Sequence, residues 1–388
     1  MYNKKLYGND KSGSIKIWAV TVTEEAGVGI ITINHGKEGG KIQSKVEIVL
    51  EGKQGRSALE QAISIAEGKL KKNVDKGYRE TKEELSDLPL LAMLAGDFHK
   101  IGHRIKFPCL GSDKYDGVRC MAKNTNGVIT LESRTGQEYI LPHITEELTG
   151  VLSNGEVLDG ELYLHGYALQ EITSAVKRTD PDKEVEKTYK AYNKNPSDET
   201  YAKHEEAVRI QELRPKLEFH IFDVPKAQGY FATRRQSLIE LISRLGCWKT
   251  PHLFVVGYFQ LENEEQMKIK HKDCVARGFE GIMLRNFDGV YESGKRSADL
   301  QKYKEFMDAE FEILDVVADK DGLGVFEVKN IYADNTFTVT LGSHVERAYQ
   351  LAHKEEFIRK PLTVKFQSLY KGTLIPQFPT GVAVRDYE

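Results

Sequence analysis

Lys114 stands two residues before Asp116, with Gly117 next and Arg119 closing the run KYDGVR at 114–119. A lysine amine attacks only after losing its proton, and an unperturbed lysine, pKa near ~10.4, is almost fully protonated at neutral pH. Lowering that value to ~7–8 takes roughly 3–5 kcal/mol of differential stabilisation, which burial and adjacent positive charge can supply. Downstream, Glu161 in LDGELY (158–163) and Glu280 in FEGIMLRN (279–286) are carboxylates on otherwise apolar stretches. Burying them uncompensated is costly, so both are expected to face a cleft and bind something cationic. Two carboxylates together with phosphate oxygens suit Mg²⁺ (or Mn²⁺); pairing with nearby Lys or Arg is the alternative. Lys302 and Lys304 alternate with Gln301 and Tyr303, so a strand there turns both to one face, where a phosphate fits. A solvated face is the alternative for that pair. Phe222 and Met283 are apolar, and each taken alone reads as a core residue.

These residues need a scaffold, and the hydrophobic periodicity supplies one in three parts. In residues 1–82, period-2 stretches at 14–22, 28–34 and 45–51 read as strands. The segment 56–78 has Leu59, Ile63, Ala66 and Leu70 at helical spacing and Gly77 as a stop signal. A short apolar run at 88–95 is expected to pack against the next domain. From about 90 to 306 strands and helices alternate, with a hairpin turning at Asn126-Gly127 and buried strands in VLDGELYLHG, KLEFHIFDV and EGIMLRN. Residues 180–215 are almost devoid of large apolar side chains and read as a solvated helical insertion or a mobile loop. Beyond 308, short strands at FEILDVV, GVFEVKN, TFTVTLG and LTVKFQSLY with a helix near 346–358 suit a small β-barrel of the OB type.

Bulk properties narrow the class without fixing it. With 388 residues, 40% hydrophobic and 29% charged, the chain reads as soluble, globular and multidomain. Cys109, Cys120, Cys247 and Cys274 are far apart and form no CxxC pair, which points to a reducing, cytoplasmic setting. No apolar run approaches membrane-spanning length, and MYNKKLYGNDKSGS does not read as a signal peptide. The formal net charge of −3 gives no support to a nucleic-acid partner, so any basic contacts must be local.

In sequence order, KYDGVR, SRTG (133–136), LDGELY, FHIFDV (219–224), FEGIMLRN, LQKYKEF and PQFPTGVAVRDYE (376–388) resemble the motif series of the covalent nucleotidyltransferases. That superfamily comprises DNA ligases, RNA ligases and mRNA capping enzymes. YESGKRSADLQKYKEF looks more like ATP-dependent DNA ligases than the other branches, and KFPCLGSDKYDGVRC looks especially like the ligases of bacteriophages. The resemblance implies an α+β chain. A nucleotidyltransferase domain of ATP-grasp-like, two-sheet build at 90–306 would be followed by an OB-fold barrel at 308–388, behind a small sheet-plus-helix domain at 1–82. It implies that Lys114 is the catalytic nucleophile, forming a phosphoramidate with AMP. Ser112, Arg119, Arg134, Glu161, Phe222, Met283, Lys302, Lys304 and Arg385 would bind ATP or AMP, with Phe222 and Met283 sandwiching the base. Glu161 and Glu280 would hold Mg²⁺, and Arg134 would reach the 5′-phosphate of a nick. Many relatives carry Glu or Gln where Ser112 stands, and Asp-Lys where Tyr387 and Glu388 end this chain. The expected partner is nicked duplex DNA, bound by a monomer. The first domain is loosely similar to WGR-type modules, with His35-Gly36-Lys37 in place of the signature, and Lys37, Lys41 and Lys45 could reach DNA phosphates. An RNA-joining or capping enzyme, or a non-catalytic nick-binding protein, are the competing readings.

Overall fold

The computed structural model describes residues 2–9, 14–53, 55–85, 90–246, 250–370 and 372–386. Cys247, the first residues of the apolar run at 88–95, and Tyr387 with Glu388 lie outside the described residues. Two compact units emerge. The first comprises Met1–Leu110, Asp116–Gln260 and Arg285–Gln301; the second comprises Gly111–Tyr115, Leu261–Leu284 and Lys302–Glu388. Lys114 therefore belongs to the second unit, while Asp116, Gly117 and Arg119 belong to the first.

The first unit opens with β1 (Tyr2–Asn9), β2 (Ile15–Glu25), β3 (Val28–Lys37) and β4 (Ile42–Val49), an antiparallel meander in that order. Register sets Leu6 opposite Trp18, Val20 opposite Ile33 and Val22 opposite Ile31. Alternation therefore puts these side chains on one face, where they bury against Ala62 and Ala66 of α1 (Ala58–Val74). Ser57 and Glu60 close a capping box at the start of α1, satisfying two otherwise orphaned backbone donors. The sequence reading leaves β1 unassigned because Asn3, Lys4 and Lys5 interrupt its apolar alternation; its partner β2 organises it.

Next come β5 (Leu94–Asp97), α2 (Phe98–Ile101), β6 (Cys109–Lys114), β7 (Val118–Thr125), β8 (Val128–Glu132) and β9 (Glu138–Tyr139). Asn126 at φ 54° and Gly127 at φ 86° form the turn between β7 and β8, as a two-residue hairpin with a primed turn requires. Then follow α3 (Pro142–Thr149), β10 (Val157–Tyr163) and α4 (Leu169–Lys177). The insertion at 180–215 is helical rather than a loop, built of α5 (Pro181–Lys194) and α6 (Asp198–Leu213). It is also anchored: Ala207, Ile210 and Leu213 are buried, and Arg214 donates to the carbonyls of Ala175 (3.1 Å) and Ile140. After β11 (Glu218–Asp223), α7 (Phe231–Gly246) and β12 (Leu253–Val255), the order β12-β11-β10-β7-β8-β9 makes a six-stranded sheet. The described part of the apolar run packs as expected, with Ala92 buried against Met121 and Val157.

Next along the chain come β13 (Phe259–Leu261), α8 (Glu264–Ala276) and β14 (Gly281–Arg285), of which Leu261–Leu284 belong to the second unit. After β15 (Arg296–Tyr303) come β16 (Met307–Ala318), β17 (Gly324–Lys329), β18 (Thr336–Val339), α9 (His344–Ala352), β19 (Pro361–Phe366) and β20 (Thr380–Val384). The last five strands pair antiparallel in the order β18-β17-β16-β19-β20. Gly381 N–H donates to Thr340 C=O at 3.0 Å, linking β20 to the chain just beyond β18. Phe311, Phe326, Phe337 and Phe366 fill the interior. Among the described residues, no helix is long and apolar enough to cross a membrane.

Candidate active site

In the second unit, β6 ends on Lys114 and is a hydrogen-bonded neighbour of β14, which Glu280 immediately precedes. Glu280 N–H donates to Lys114 C=O at 3.0 Å, so the two residues are fixed to each other through their backbones. Gly281, at φ +155°, continues that close approach: a Cβ there would lie 2.5 Å from the Tyr303 carbonyl. The Glu280 carboxylate accepts from two ammonium groups, Lys114 on Oε2 and Lys304 on Oε1 (2.8 Å). Lys304 also donates to Gln367 Oε1. The carboxylate is 8% exposed, and the two lysines 19% and 15%. Charge-assisted hydrogen bonds in so sheltered a setting are stronger than their surface counterparts. The Lys304 ammonium, expected from the sequence to meet a phosphate, here donates to a protein carboxylate. Pairing with lysine, the alternative weighed for the glutamates, is what Glu280 does.

Other expected residues of this unit lie nearby in sequence. Ser112 is buried on β6, Met283 is half-buried on β14, and Lys302 is half-buried near the end of β15. Arg385 follows β20; its Nε donates to Thr363 Oγ1 at 2.8 Å and lies 3.7 Å from Glu310. It is held against its own sheet.

The first unit presents a different arrangement. Gly117 sits where a Cβ would be 2.4 Å from the Leu162 carbonyl and 2.8 Å from Glu161 Cγ. A side chain is excluded there by the protein's own backbone. On the six-stranded sheet Glu161 faces Arg119 of β7 on one side and His220 of β11 on the other. Arg119 forks onto Asp159 (Nε to Oδ1 2.6 Å, Nη2 to Oδ2 2.7 Å) and donates to Met93 C=O at 3.0 Å. Burial works against its charge, but Asp159 more than compensates and holds the guanidinium above its ordinary range. Arg119 thus arrives already neutralised by Asp159, which the expectation that it binds ATP or AMP does not include. Its guanidinium also lies 4.5 Å from the ring centroid of Phe222, so that ring already stacks on a protein cation.

Behind Phe222, Asp223 is fully buried and accepts from Arg234 (2.8 and 3.2 Å) and Arg285. Burial disfavours the Asp223 charge, yet Arg285 and Arg234 outweigh it and hold the carboxyl below its ordinary range. Tyr258 donates to Phe222 C=O at 2.7 Å, and burial pushes its phenol up to about 12. Tyr291 donates to Asp159 at 2.6 Å. Asp159, Asp223, Arg234, Arg285 and Tyr291 are neighbours of the expected site residues that the sequence reading misses. Asp159 and Asp223 carry the same signal as Glu161, an acid on an apolar strand, whereas buried Arg234 looks like any charge on an amphipathic helix.

Arg134 is exposed in the turn 133–136, closed by Gly136 N–H to Ser133 C=O at 3.0 Å. Lys37 ends β3, Lys41 precedes β4, and Lys45 lies within β4, where it pairs with Glu47 at 2.8 Å. All three are exposed. Among the described residues no group of three or more His, Cys, Asp or Glu side chains converges as a metal cage.

The family model described as "ATP dependent DNA ligase domain" matches residues 89–304. A protein of African swine fever virus (isolate Tick/South Africa/Pretoriuskop Pr4/1996) named DNA ligase is 29% identical over 302 residues, covering 70% of this chain and 62% of the relative. The DNA ligase of Enterobacteria phage T4 is 25% identical over 252 residues, covering 58% of this chain and 50% of that one. The chain thus spans between half and two thirds of the length of these relatives. A solved structure titled "DNA binding with a minimal scaffold: Structure-function analysis of Lig E DNA ligases" superposes with a TM-score of 0.57 at 23% identity, over 77% of this chain and all of that one. Its likeness establishes a shared fold. By the extent of the family match, this chain belongs to the ATP-dependent DNA ligase domain family.

Proposed function

We propose that the chain is an ATP-dependent DNA ligase that seals 5′-phosphate/3′-hydroxyl nicks in duplex DNA through a lysyl-AMP intermediate on Lys114. The observation that carries this reading is the pairing of Lys114, in the attachment run, with Glu280, which also receives Lys304. In the first step Nζ attacks the α-phosphorus of ATP; the N–P bond forms and the bond to the pyrophosphate oxygen breaks. Nζ must shed a proton to attack; the Glu280 carboxylate holds the resting ammonium in place, and the amine is freed as that contact gives way. Lys304, on the same carboxylate, supplies positive charge for the phosphoryl oxygens. AMP then passes to the 5′-phosphate of the nick, and the 3′-hydroxyl displaces it.

Glu161 and Glu280 are assigned to Mg²⁺ or Mn²⁺. Each offers hard carboxylate oxygens, and Mg²⁺ commonly takes only one or two carboxylates, with waters and phosphate oxygens for its remaining positions. When bound, the ion would neutralise charge on the phosphates. Ser112, Arg119, Phe222, Met283, Lys302 and Arg385 are assigned to ATP or AMP, and Arg134 to the nick. For Arg119 the role we favour is holding Phe222 in place through the Asp159 fork.

The domains assigned are 1–82, 90–306 and 308–388, in a monomer working in a reducing cytoplasm. The OB-type reading of 308–388 is supported by strand order, by α9 between the third and fourth strands, and by the Gly381 to Thr340 bond. For DNA contact by the first domain, the support is local charge. Residues 1–82 hold 15 Lys and Arg against 10 Asp and Glu, a surplus of five in a chain whose net charge is −3.

Incubation with α-labelled ATP or GTP and a divalent cation, followed by a denaturing gel, tests the assignment. Label from ATP on Lys114 is expected. Label from GTP alone would turn the reading towards capping chemistry, and no label from either would remove it.

A further inference from the structure

One residue before Lys114, Asp113 is engaged in contacts that the reaction scheme leaves unused. Alternation along β6 turns Asp113 away from the Lys114 side. Arg277, just past α8, forks onto it, with Nη2 to Oδ1 at 2.6 Å and Nη1 to Oδ2 at 3.0 Å. Cys274, buried in α8, donates Sγ–H to Oδ1 at 2.7 Å, and Arg277 Nη2 reaches the same sulfur at 3.3 Å. Burial, reinforced by Asp113, pushes the Cys274 thiol up to about 12, so it stays a donor at neutral pH. The Arg277 guanidinium lies 5.0 Å from the Phe279 ring, which meets Tyr115 edge-on at 5.3 Å. Consecutive residues therefore clasp the two segments 113–115 and 277–280 on both sides: 113 to 277, 114 to 280, and 115 to 279.

We propose that Arg277 and Asp113, backed by Cys274, are positioning residues for Lys114, and that their clasp sets how closely Glu280 approaches the Lys114 amine. The inference rests on Lys114 being the nucleophile. An exposed ion pair alone is worth little. This one is forked, has a buried third donor, and is joined through three residues of backbone to the carboxylate that contacts Nζ. Displacing that segment would change the Nζ to carboxylate geometry without touching either group.

The test uses the full chain as wild type, as Arg277→Ala, as Asp113→Asn, and with the charges exchanged (Asp113→Arg with Arg277→Asp). A nucleotide-free readout comes first: the rate at which acetic anhydride modifies Lys114, followed by mass spectrometry. Loosening the Glu280 contact should raise that rate about two- to fivefold in the single variants, with return towards wild type in the exchanged pair. The second readout is adduct formation at saturating ATP, expected to fall about tenfold or more in the single variants, while sealing of a pre-adenylylated nick is kept. If Arg277→Ala does not fold, Arg277→Lys keeps the charge but loses the fork and takes its place. Equal acetylation of Lys114 in every protein overturns the clasp, as does equal loss of both activities. Failure of the wild type to take label from ATP overturns the nucleophile assignment instead, and the acetylation rates still judge the clasp.

Discussion

The two charged clusters answer one problem, burying carboxylates, in opposite chemical ways. In the first unit Asp159 and Asp223 are gripped by guanidinium groups, with Arg119 forked onto one and Arg234 and Arg285 converging on the other. In the second unit Glu280 is met by ammonium groups, those of Lys114 and Lys304. Arginine stays protonated at any physiological pH and presents a rigid fork, which suits it to holding geometry. Lysine is a point charge on a flexible stem, and its proton can leave, which suits it to chemistry. The first cluster is therefore read as scaffold and the second as reaction centre, with Lys114 as the group whose proton can leave.

The strongest way to break that contrast is at Lys114. Lys114→Ala should abolish covalent AMP transfer, by about ten-thousandfold or more, while thermal unfolding stays close to wild type. Radiolabel retained on the folded variant would move the reaction centre elsewhere.

The scaffold cluster should respond in stability instead. Asp223→Asn leaves two buried guanidinium groups short of their counter-charge and should lose about 3–5 kcal/mol in urea unfolding. Its pH dependence sharpens the point. The folded carboxyl lies below its ordinary value, so its contribution is fully present above the unfolded value near ~3.9 and is lost as pH falls through the folded one. The stability gap between wild type and Asp223→Asn should hold at neutral pH and narrow below about pH 4. A gap that stayed constant into that acid range would mean the aspartate acts through shape alone.

Arg385 should separate the chemical steps. Arg385→Ala is expected to slow self-adenylylation about a hundredfold yet to seal a nick already carrying 5′-AMP. Equal loss of both would place the residue with the scaffold arginines, in keeping with its contacts to Thr363 and Glu310.

The smallest effect concerns the first domain. Deleting residues 1–82 should spare adenylylation but weaken nicked-duplex binding several-fold. It should also flatten the salt dependence, by about 0.9 in log–log slope for each phosphate that the domain neutralises. Affinities at several salt concentrations decide it, and an unchanged slope would return the domain to a structural role.

Much of the fold is legible because one face of each strand has to be apolar. The alternation in β2 and β3, the helical spacing of α1 and the Asn126-Gly127 turn are local signals, and the structure follows them. β1 and β20 escape such a reading, since neither carries a clear apolar alternation of its own and each takes its order from the neighbour it pairs with. The insertion helices are half-legible: their outer faces are polar, and only a few residues such as Ile210 and Leu213 tie them down.

The sequence by itself determined which chemistry the chain can attempt. Lys114 in its run, acids on apolar strands and paired lysines near 302–304 are statements about residue type and spacing, and composition cannot scramble them. Only the tertiary structure decided the partners. Arg119 and Asp159 are 40 residues apart and Asp113 and Arg277 164 apart. Nothing in a local pattern says which buried carboxylate will meet which cation. Strand register and helix placement choose, because each buried charge must find its counter-charge within hydrogen-bond reach or remain in water.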